Sequence, residues 1–222
     1  MNNSHDGPLY VVNLREDDGF YFDEQPITYY GMYIRDGNFR YHLSTKGRKK
    51  WLYGFRKWLH NAPDKIEDLD PSSLETESEI LGRLGIHYVK FDLARQSFAS
   101  KWDFIDNAIA LFESLPSNAW IHFHCAGGRG RTTTLMIMYD IFHNAKTSPL
   151  DDILSHHHCL GGERIQYTHV RPNGSWSKQN LEGRLRLLEN FHRYMTAPNG
   201  YPHNTWLKWL DEQGLPVEFT VS

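Results

Sequence analysis

The sequence predicts an α/β fold in which a mainly parallel central sheet is flanked by helices. Short apolar segments of strand length alternate with longer segments whose apolar residues recur at helical spacing. This alternation is typical of α/β proteins, because two parallel strands must be joined by a crossover that is usually a helix. The chain has 222 residues, 40% of them hydrophobic, which is enough for a buried core. We therefore expect residues 1–222 to form a single domain, with an insertion at about residues 20–70 that the pattern leaves unassigned.

Three apolar segments are predicted as strands of this sheet. They cover residues 9–14, 86–93 and 120–123. Each is short and rich in β-branched or aromatic side chains, as strands usually are. The third runs directly into a glycine-rich loop.

Beyond residue 70, five segments are predicted as helices. Ser72 stands three residues before Glu75, as in a capping box, and predicts a helix that ends near Leu84, before Gly85. The other four are residues 102–115, 132–144, 181–195 and a short last helix with Trp206, Trp209 and Leu210. Their apolar stripes indicate that each packs one face against the core.

A basic and aromatic stretch covers residues 46–60. Six of the twelve residues from Lys46 to Lys57 are Lys or Arg, and Trp51, Phe55 and Trp58 recur at helical spacing. The simpler interpretation is an amphipathic helix with a solvated basic face. The alternative adds that part of this face lies beside an anionic substrate.

The charge balance limits the classes of partner. The chain has 24 basic and 27 acidic side chains, a formal net charge of −3. No overall positive field would attract nucleic acid or an anionic membrane, so an anion-binding site must be local. Two cysteines do not make a disulfide framework, the first eight residues are polar, and no apolar run reaches membrane-spanning length. We expect a cytoplasmic protein, unless a secretion signal has been removed.

The chemistry is concentrated in a loop between the third strand and the next helix. Cys125 and Arg131 are separated by five residues, three of which are Gly127, Gly128 and Gly130. A cysteine attacks as thiolate, and its pKa falls at a helix N-terminus and beside an arginine. Glycines let main-chain N–H groups converge on a phosphate, and a guanidinium can hold two of its oxygens. This pattern predicts a phosphate-binding loop with Cys125 as nucleophile.

Two neighbours of the loop receive supporting roles. The Thr132 hydroxyl is expected to stabilise the thiolate and later the departing sulfur. His124 is expected to hold the loop by hydrogen bonds rather than to act as a base, because a thiolate needs none.

The segment HCAGGRGRTTT (residues 124–134) resembles the signature of protein tyrosine phosphatases. It is more similar to the cysteine phytases, the protein-tyrosine-phosphatase-like inositol polyphosphatases, because Arg131 is followed by two threonines where many protein phosphatases have Thr-Gly. The likeness extends to LYVVNLRED and ITYYG near the start, SLPSNAWIHFHC before the loop, and HHCLGG and SWSK after it. It covers roughly residues 9–210. It implies a protein-tyrosine-phosphatase-like fold, no metal or other cofactor, and stepwise hydrolysis of inositol phosphates through a phosphocysteine.

This chain departs from the family pattern in two places. The family's N-terminal segment and small barrel-like insertion are absent or shortened here, so we expect a smaller and less basic pocket. The family also carries its general acid, an Asp, about thirty residues before the cysteine, which is near Arg95 and Gln96 in this sequence. The nearest carboxylate is Asp92, which we predict as the acid, although it could instead be a hydrogen-bonding residue at a strand end. Asp103 and Asp106 come next, on a predicted helix.

The remaining candidates concern substrate binding. The loop residues Ala126 to Gly130 are expected to bind phosphate, and Arg129 either meets a second phosphate or is solvated. The resemblance places His158, Arg171 and Lys178 beside the substrate. We interpret the run from His156 to Cys159 as non-metal, because no second ligand pair stands at zinc spacing. A protein tyrosine or dual-specificity phosphatase, and a pseudophosphatase that only binds inositol phosphates, remain alternatives.

Overall fold

The computed structural model describes most of the chain outside residues 42–74. The described residues are 7–16, 20–22, 25–27, 32–35, 38–41, 75–94, 99, 101–125, 127–170 and 176–220. They belong to two compact units, one made of residues 1–16 and 86–222 and the other of residues 17–85. The predicted basic helix at residues 46–60 and the predicted cap Ser72 lie outside the described residues.

The elements follow one another in this order: β1 Leu9–Asn13, β2 Phe20–Phe22, β3 Gln25–Ile27, β4 Met32–Arg35, β5 Asn38–Tyr41, β6 Glu75–Thr76, α1 Glu77–Arg83, β7 His87–Lys90, α2 Ile105–Ser114, β8 Trp120–His124, α3 Gly130–Asn144, α4 Leu150–Cys159, α5 Lys178–Thr196 and α6 Trp206–Glu212.

The larger unit contains a parallel sheet in the order β7-β1-β8. Val11 in the central strand is in register with Tyr88 of β7 and His122 of β8, and Asn13 is in register with His124. All three strands therefore end at the same edge of the sheet, where ligands of open α/β sheets usually bind. The predicted α/β class and parallel sheet are confirmed.

Helices α2 and α3 pack on the sheet through aromatic side chains. The Phe112 ring of α2 makes edge contacts with Phe123 of β8 at 6.5 Å and with Tyr139 of α3 at 5.3 Å. Helix α3 is buried along most of its length because α2, α4 and α5 also contact it. The loop that precedes α3 is thereby held between a sheet and a buried helix.

Helices α5 and α6 close the core behind α3. Trp206 and Trp209 stack at 5.6 Å, and both contact Tyr194 of α5. The main-chain N–H of Trp206 donates to Asp106 Oδ1 at 2.7 Å. This bond ties the start of α6 to α2.

The smaller unit contains antiparallel strands and helix α1. Strand β2 pairs with both β3 and β6, and β4 pairs with β5. Helix α1 begins at Glu77, where Thr76 and Glu79 form a capping box. The prediction that Ser72 and Glu75 cap this helix is wrong, because Glu75 and Thr76 pair with Tyr21 and Phe20 as strand β6.

The remaining sequence predictions for the larger unit agree with the structure to within a few residues, apart from helix α4, which was not predicted. Across the part of the chain that the structure describes, no helix is long and apolar enough to cross a membrane.

Candidate active site

The glycine-rich loop begins where β8 ends and finishes where α3 begins. The main-chain N–H of Leu14 donates to the carbonyl of His124 at 2.9 Å, so the pairing of β1 with β8 continues to the residue before Cys125. The His124 ring stacks on His122 at 5.8 Å. The first residue of the loop is thus fixed by the sheet, and Ala126 lies outside the described residues.

Arg131 is held by the ends of the other two strands. Its side chain is 7% exposed, and its Nη1 donates to the carbonyls of Leu14 and Leu93, each at 2.9 Å. Hydrogen bonds from a charged donor contribute about 1.5–3 kcal/mol each, so the two bonds together exceed the roughly 2 kcal/mol of rotamer entropy lost. The guanidinium is therefore oriented before any ligand binds, and its described bonds use only Nη1.

The Cys125 thiol is half-buried at the N-terminal end of α3. Burial raises its pKa, but the Thr132 hydroxyl, the main-chain N–H groups of Gly127 and Thr132, and the charge of Arg131 together lower it below its ordinary value. The Thr132 Oγ1 donates to Sγ at 3.2 Å. These donors favour the thiolate, which is the nucleophilic form of cysteine.

Two loop positions require glycine for different reasons. Gly128 has a φ of 62°, a left-handed conformation that strains other residues. At Gly130 an added Cβ would lie 2.3 Å from the Trp176 ring. At Gly127 an added Cβ would meet nothing within 4 Å, so its predicted importance rests on its N–H group.

The predicted binding side chains differ in their position relative to the loop. Arg129 is exposed at the N-cap position of α3. His158 is exposed and contacts the Gly162 carbonyl at 3.3 Å, and Lys178 pairs with Glu182 at 3.5 Å. No described contact joins either residue to the loop, and Arg171 lies outside the described residues.

The three acid candidates have different surroundings. Asp92 is exposed, pairs with Lys90 at 3.5 Å, and directly precedes Leu93, whose carbonyl binds Arg131. Asp103 is exposed in a turn before α2 rather than on the helix as predicted. Asp106 accepts the N–H of Trp206 and so has a structural partner. Asp92 is the candidate next to a residue that contacts the loop arginine.

The histidine run lies at the end of α4 and its members differ in burial. His157 is buried, and its Nε2 lies 3.0 Å from Asp140 Oδ2 on α3. Burial lowers the pKa of His157, although Asp140 opposes this shift. Across the described ranges, no group of three His, Cys, Asp or Glu side chains has an arrangement that could hold a metal ion.

Three side chains behind the loop were missed by sequence reasoning. They are Trp176, which lies against Gly130, Arg184, which contacts the Trp176 ring, and Glu163, which pairs with Arg184. One signal was available: Arg184 falls within the apolar stripe of α5, where a charged residue is unexpected.

Comparison with known proteins shows which family this chain resembles. The family model named for protein-tyrosine-phosphatase-like phytases, described as "inositol hexakisphosphate", matches residues 36–143. A phytase-like structure from Bdellovibrio bacteriovorus is 28% identical with a TM-score of 0.62, and covers 92% of this chain and 77% of its own. The chain is similar in sequence and in fold to the protein-tyrosine-phosphatase-like phytases.

Another phytase-like structure contains a ligand. The myo-inositol phosphatase from Mitsuokella multacida, solved with myo-inositol-(1,3,4,5)-tetrakisphosphate, is 28% identical with a TM-score of 0.63. The match covers 93% of this chain and 36% of that one.

Curated relatives of this phytase-like chain come from Pseudomonas and Xanthomonas. The effector protein hopD2 of Pseudomonas syringae pv. tomato is 27% identical over 218 residues, which is 91% of this chain and 46% of that protein. The uncharacterized protein AvrBs1.1 of Xanthomonas campestris pv. campestris is 30% identical over 92 residues, 41% of this chain and 88% of its own. The chain thus spans about half the length of hopD2.

Proposed function

We propose that the protein is a phosphomonoesterase that hydrolyses inositol polyphosphates through a phosphocysteine on Cys125. The observation that carries this proposal is the Cys125 thiol, whose pKa is lowered by donors at the start of α3, beside an arginine already oriented by two carbonyls. The similarity to protein-tyrosine-phosphatase-like phytases supports phosphatase chemistry, and no step of the proposed mechanism needs a metal ion.

In the first step the Cys125 thiolate attacks phosphorus and the bond from phosphorus to the ester oxygen breaks. The phosphoryl oxygens accept hydrogen bonds from the loop N–H groups, from Gly127 to Gly130, and from the Nε and Nη2 of Arg131. Since Arg131 is anchored through Nη1, little reorganisation is required as charge shifts in the transition state.

The leaving group of an inositol phosphate is an alkoxide, which needs a proton more than a phenolate does. We assign this proton to Asp92, because it precedes the residue whose carbonyl holds Arg131 and because its carboxylate is exposed. The resulting carboxylate then takes a proton from the water that attacks the phosphocysteine. The phosphorus–sulfur bond breaks, and Thr132 donates to the departing thiolate.

Two of the comparisons favour inositol polyphosphates as substrates. The matching family model is described by inositol hexakisphosphate. The Mitsuokella protein is solved with an inositol tetrakisphosphate. In this chain Arg129 is an exposed cation inside the loop, suited to a second phosphate on the same ring. His158, Arg171 and Lys178 remain proposed binding residues, and His124 is proposed to support the loop.

A phosphate-release screen tests this proposal. Wild-type protein is offered phytate, lower inositol phosphates and a phosphotyrosyl peptide, with the Cys125→Ser variant as the inactive match and Cys159→Ser as the control for the other free thiol. We expect release from inositol phosphates, none with Cys125→Ser, and wild-type rates with Cys159→Ser. Faster release from the peptide would indicate a protein phosphatase instead.

A binding protein without turnover is the second candidate function. It is favoured by the absence of an Asp at the position where the family carries its acid, near Arg95 and Gln96. Phytate binding by both wild type and Cys125→Ser, with no phosphate release by either, would establish it and exclude the hydrolase.

A further inference from the structure

We propose that Arg184 is a positioning residue that holds the start of α3, and with it the Cys125 environment, through the Trp176 ring. The inference rests on the proposed function for its purpose, since the loop is taken as the reacting site. Arg184 itself touches no reacting atom. It acts through a series of contacts that runs from Gly130 through Trp176, Arg184 and Glu163 to Thr133.

The series begins where Trp176 covers Gly130. The ring atoms lie so close to the Gly130 Cα that even a methyl group would overlap them, at 2.3 and 2.7 Å. Gly130 is buried and is the first residue of α3, directly before Arg131. The position of the Trp176 ring therefore limits where the first turn of α3 can lie.

Arg184 holds the Trp176 ring in place through a second contact. Its guanidinium carbon lies 5.2 Å from the centre of the Trp176 ring, within the range of a cation–π contact. Arg184 projects from α5, a long helix packed on α3, and is 1% exposed. A buried guanidinium has few alternative rotamers, so it defines the ring position more closely than a surface side chain would.

Glu163 completes the series and returns it to α3. Its Oε2 accepts from Arg184 Nη1 at 2.7 Å, and its main-chain N–H donates to Thr133 Oγ1 at 3.2 Å. Thr133 is 2% exposed and is the second threonine after Arg131. The first turn of α3 is thus held at Gly130 by Trp176 and at Thr133 by Glu163, on either side of Arg131 and Thr132.

The cost of this arrangement indicates a purpose beyond stability. The Nε of Arg184 is buried without a hydrogen-bond acceptor among the described residues, and Glu163 is its one described ion-pair partner. Buried ion pairs often contribute less to stability than apolar residues of the same size would. A cation retained here at such a cost is better explained by the geometry it imposes on the loop.

The consequence falls on the groups that lower the Cys125 pKa. Two of these, the hydroxyl and the N–H of Thr132, belong to the first turn of α3. If Trp176 or Arg184 is lost, this turn is released and both donors move from Sγ. The thiolate then forms only at higher pH.

The test measures the pH at which half of the Cys125 thiol reacts with iodoacetamide, in a Cys159→Ser background that leaves one thiol. Arg184→Met, Arg184→Lys and Trp176→Leu are compared with the background protein. Arg193→Met is the matched control. Arg193 lies on α5, as Arg184 does, and its guanidinium carbon is 5.8 Å from the centre of the Trp209 ring. The pair Glu163→Gln with Arg184→Met removes both charges together, in case the single change prevents folding.

We expect Arg184→Met, Arg184→Lys and Trp176→Leu each to raise the midpoint by about one pH unit, which is about tenfold less thiolate below the midpoint. Arg193→Met should leave it unchanged. Unchanged midpoints in folded Trp176→Leu and the Glu163→Gln, Arg184→Met pair would overturn the proposal. A midpoint raised in Arg184→Met but unchanged in Arg184→Lys and Trp176→Leu would also overturn it. That pattern would mean that the positive charge of Arg184 acts directly on the thiol. The measurement needs no turnover, so a protein that releases no phosphate would refute the proposed function and leave this test intact.

Discussion

At the scale of the residue, a few hydrogen-bond donors and one arginine oppose the effect of burial on the Cys125 sulfur. Burial is the largest single influence on Cys125 and opposes ionisation, yet the combined effect of Thr132, two N–H groups and Arg131 lowers its pKa. No one of these groups is sufficient alone. Each should therefore produce a measurable shift when it is removed.

Replacing Thr132 by Val removes the hydroxyl donor and keeps the side-chain shape. A hydrogen bond to a charged group contributes about 1.5–3 kcal/mol, so the Cys125 pKa should rise by about one unit or more. Because the thiolate is present above the pKa, reactivity that wild type retains at lower pH should be lost in the variant. Alkylation rate against pH measures this, and equal midpoints for the two proteins would contradict the role of Thr132.

Asp92→Asn tests the general acid. Without this proton donor the leaving oxygen would depart as an alkoxide, so phosphate release should slow in the variant. Inositol phosphates should lose more rate than aryl phosphates, which have better leaving groups. Asp103→Asn, which changes another exposed carboxylate, is the control. Wild-type phytate rates in Asp92→Asn would remove Asp92 from the mechanism.

At the scale of the element, strand β8, the loop and helix α3 were predictable because their signals are local. Apolar strand residues, glycines and a long apolar helix follow one another without interruption. The start of α1 was mispredicted because the same capping pattern occurs twice, at Ser72 and at Thr76. The pairing of β6 with β2 selects Thr76 as the cap, because it places Glu75 in a strand. This pairing joins residues far apart in the sequence, so local spacing does not predict it.

Helix α4 was missed although its signals were present. It follows Pro149, carries Asp151 and Asp152 in its first turn and histidines in its last, as the helix dipole favours.

Gly130→Ala tests the contact between α3 and Trp176. An added methyl group would overlap the ring, and overpacking of this kind costs about 1–3 kcal/mol. Gly127→Ala is the control for stability, because its Cβ would meet nothing within 4 Å. Chemical denaturation compares the two. Equal stabilities would show that the ring moves aside without cost.

At the scale of the whole molecule, the site is assembled from distant parts of the chain. Arg131 donates to the carbonyls of Leu14 and Leu93, which are 117 and 38 residues away in the sequence. Glu163 and Arg184, which form an ion pair, are 21 residues apart. The sequence could indicate the loop but not these supports, because tertiary packing brings them together. The family match covers both the loop and its flanks, and the structural matches cover more than nine-tenths of the chain.

The proposed mechanism uses only groups of the protein itself, which leads to a prediction about chelators. Phosphate release should be unchanged after treatment with EDTA, since substrate is held by main-chain N–H groups and Arg131. Loss of activity, restored by a divalent metal, would contradict this mechanism and return attention to the run from His156 to His158.

Trapping the phosphoenzyme tests whether Cys125 carries the phosphoryl group during turnover. Wild-type protein is mixed with labelled inositol phosphate, quenched in acid during turnover, and digested for mass spectrometry. We predict label on the peptide that contains Cys125, and none in Cys125→Ser. Label on another residue, or continued turnover by Cys125→Ser, would contradict the account.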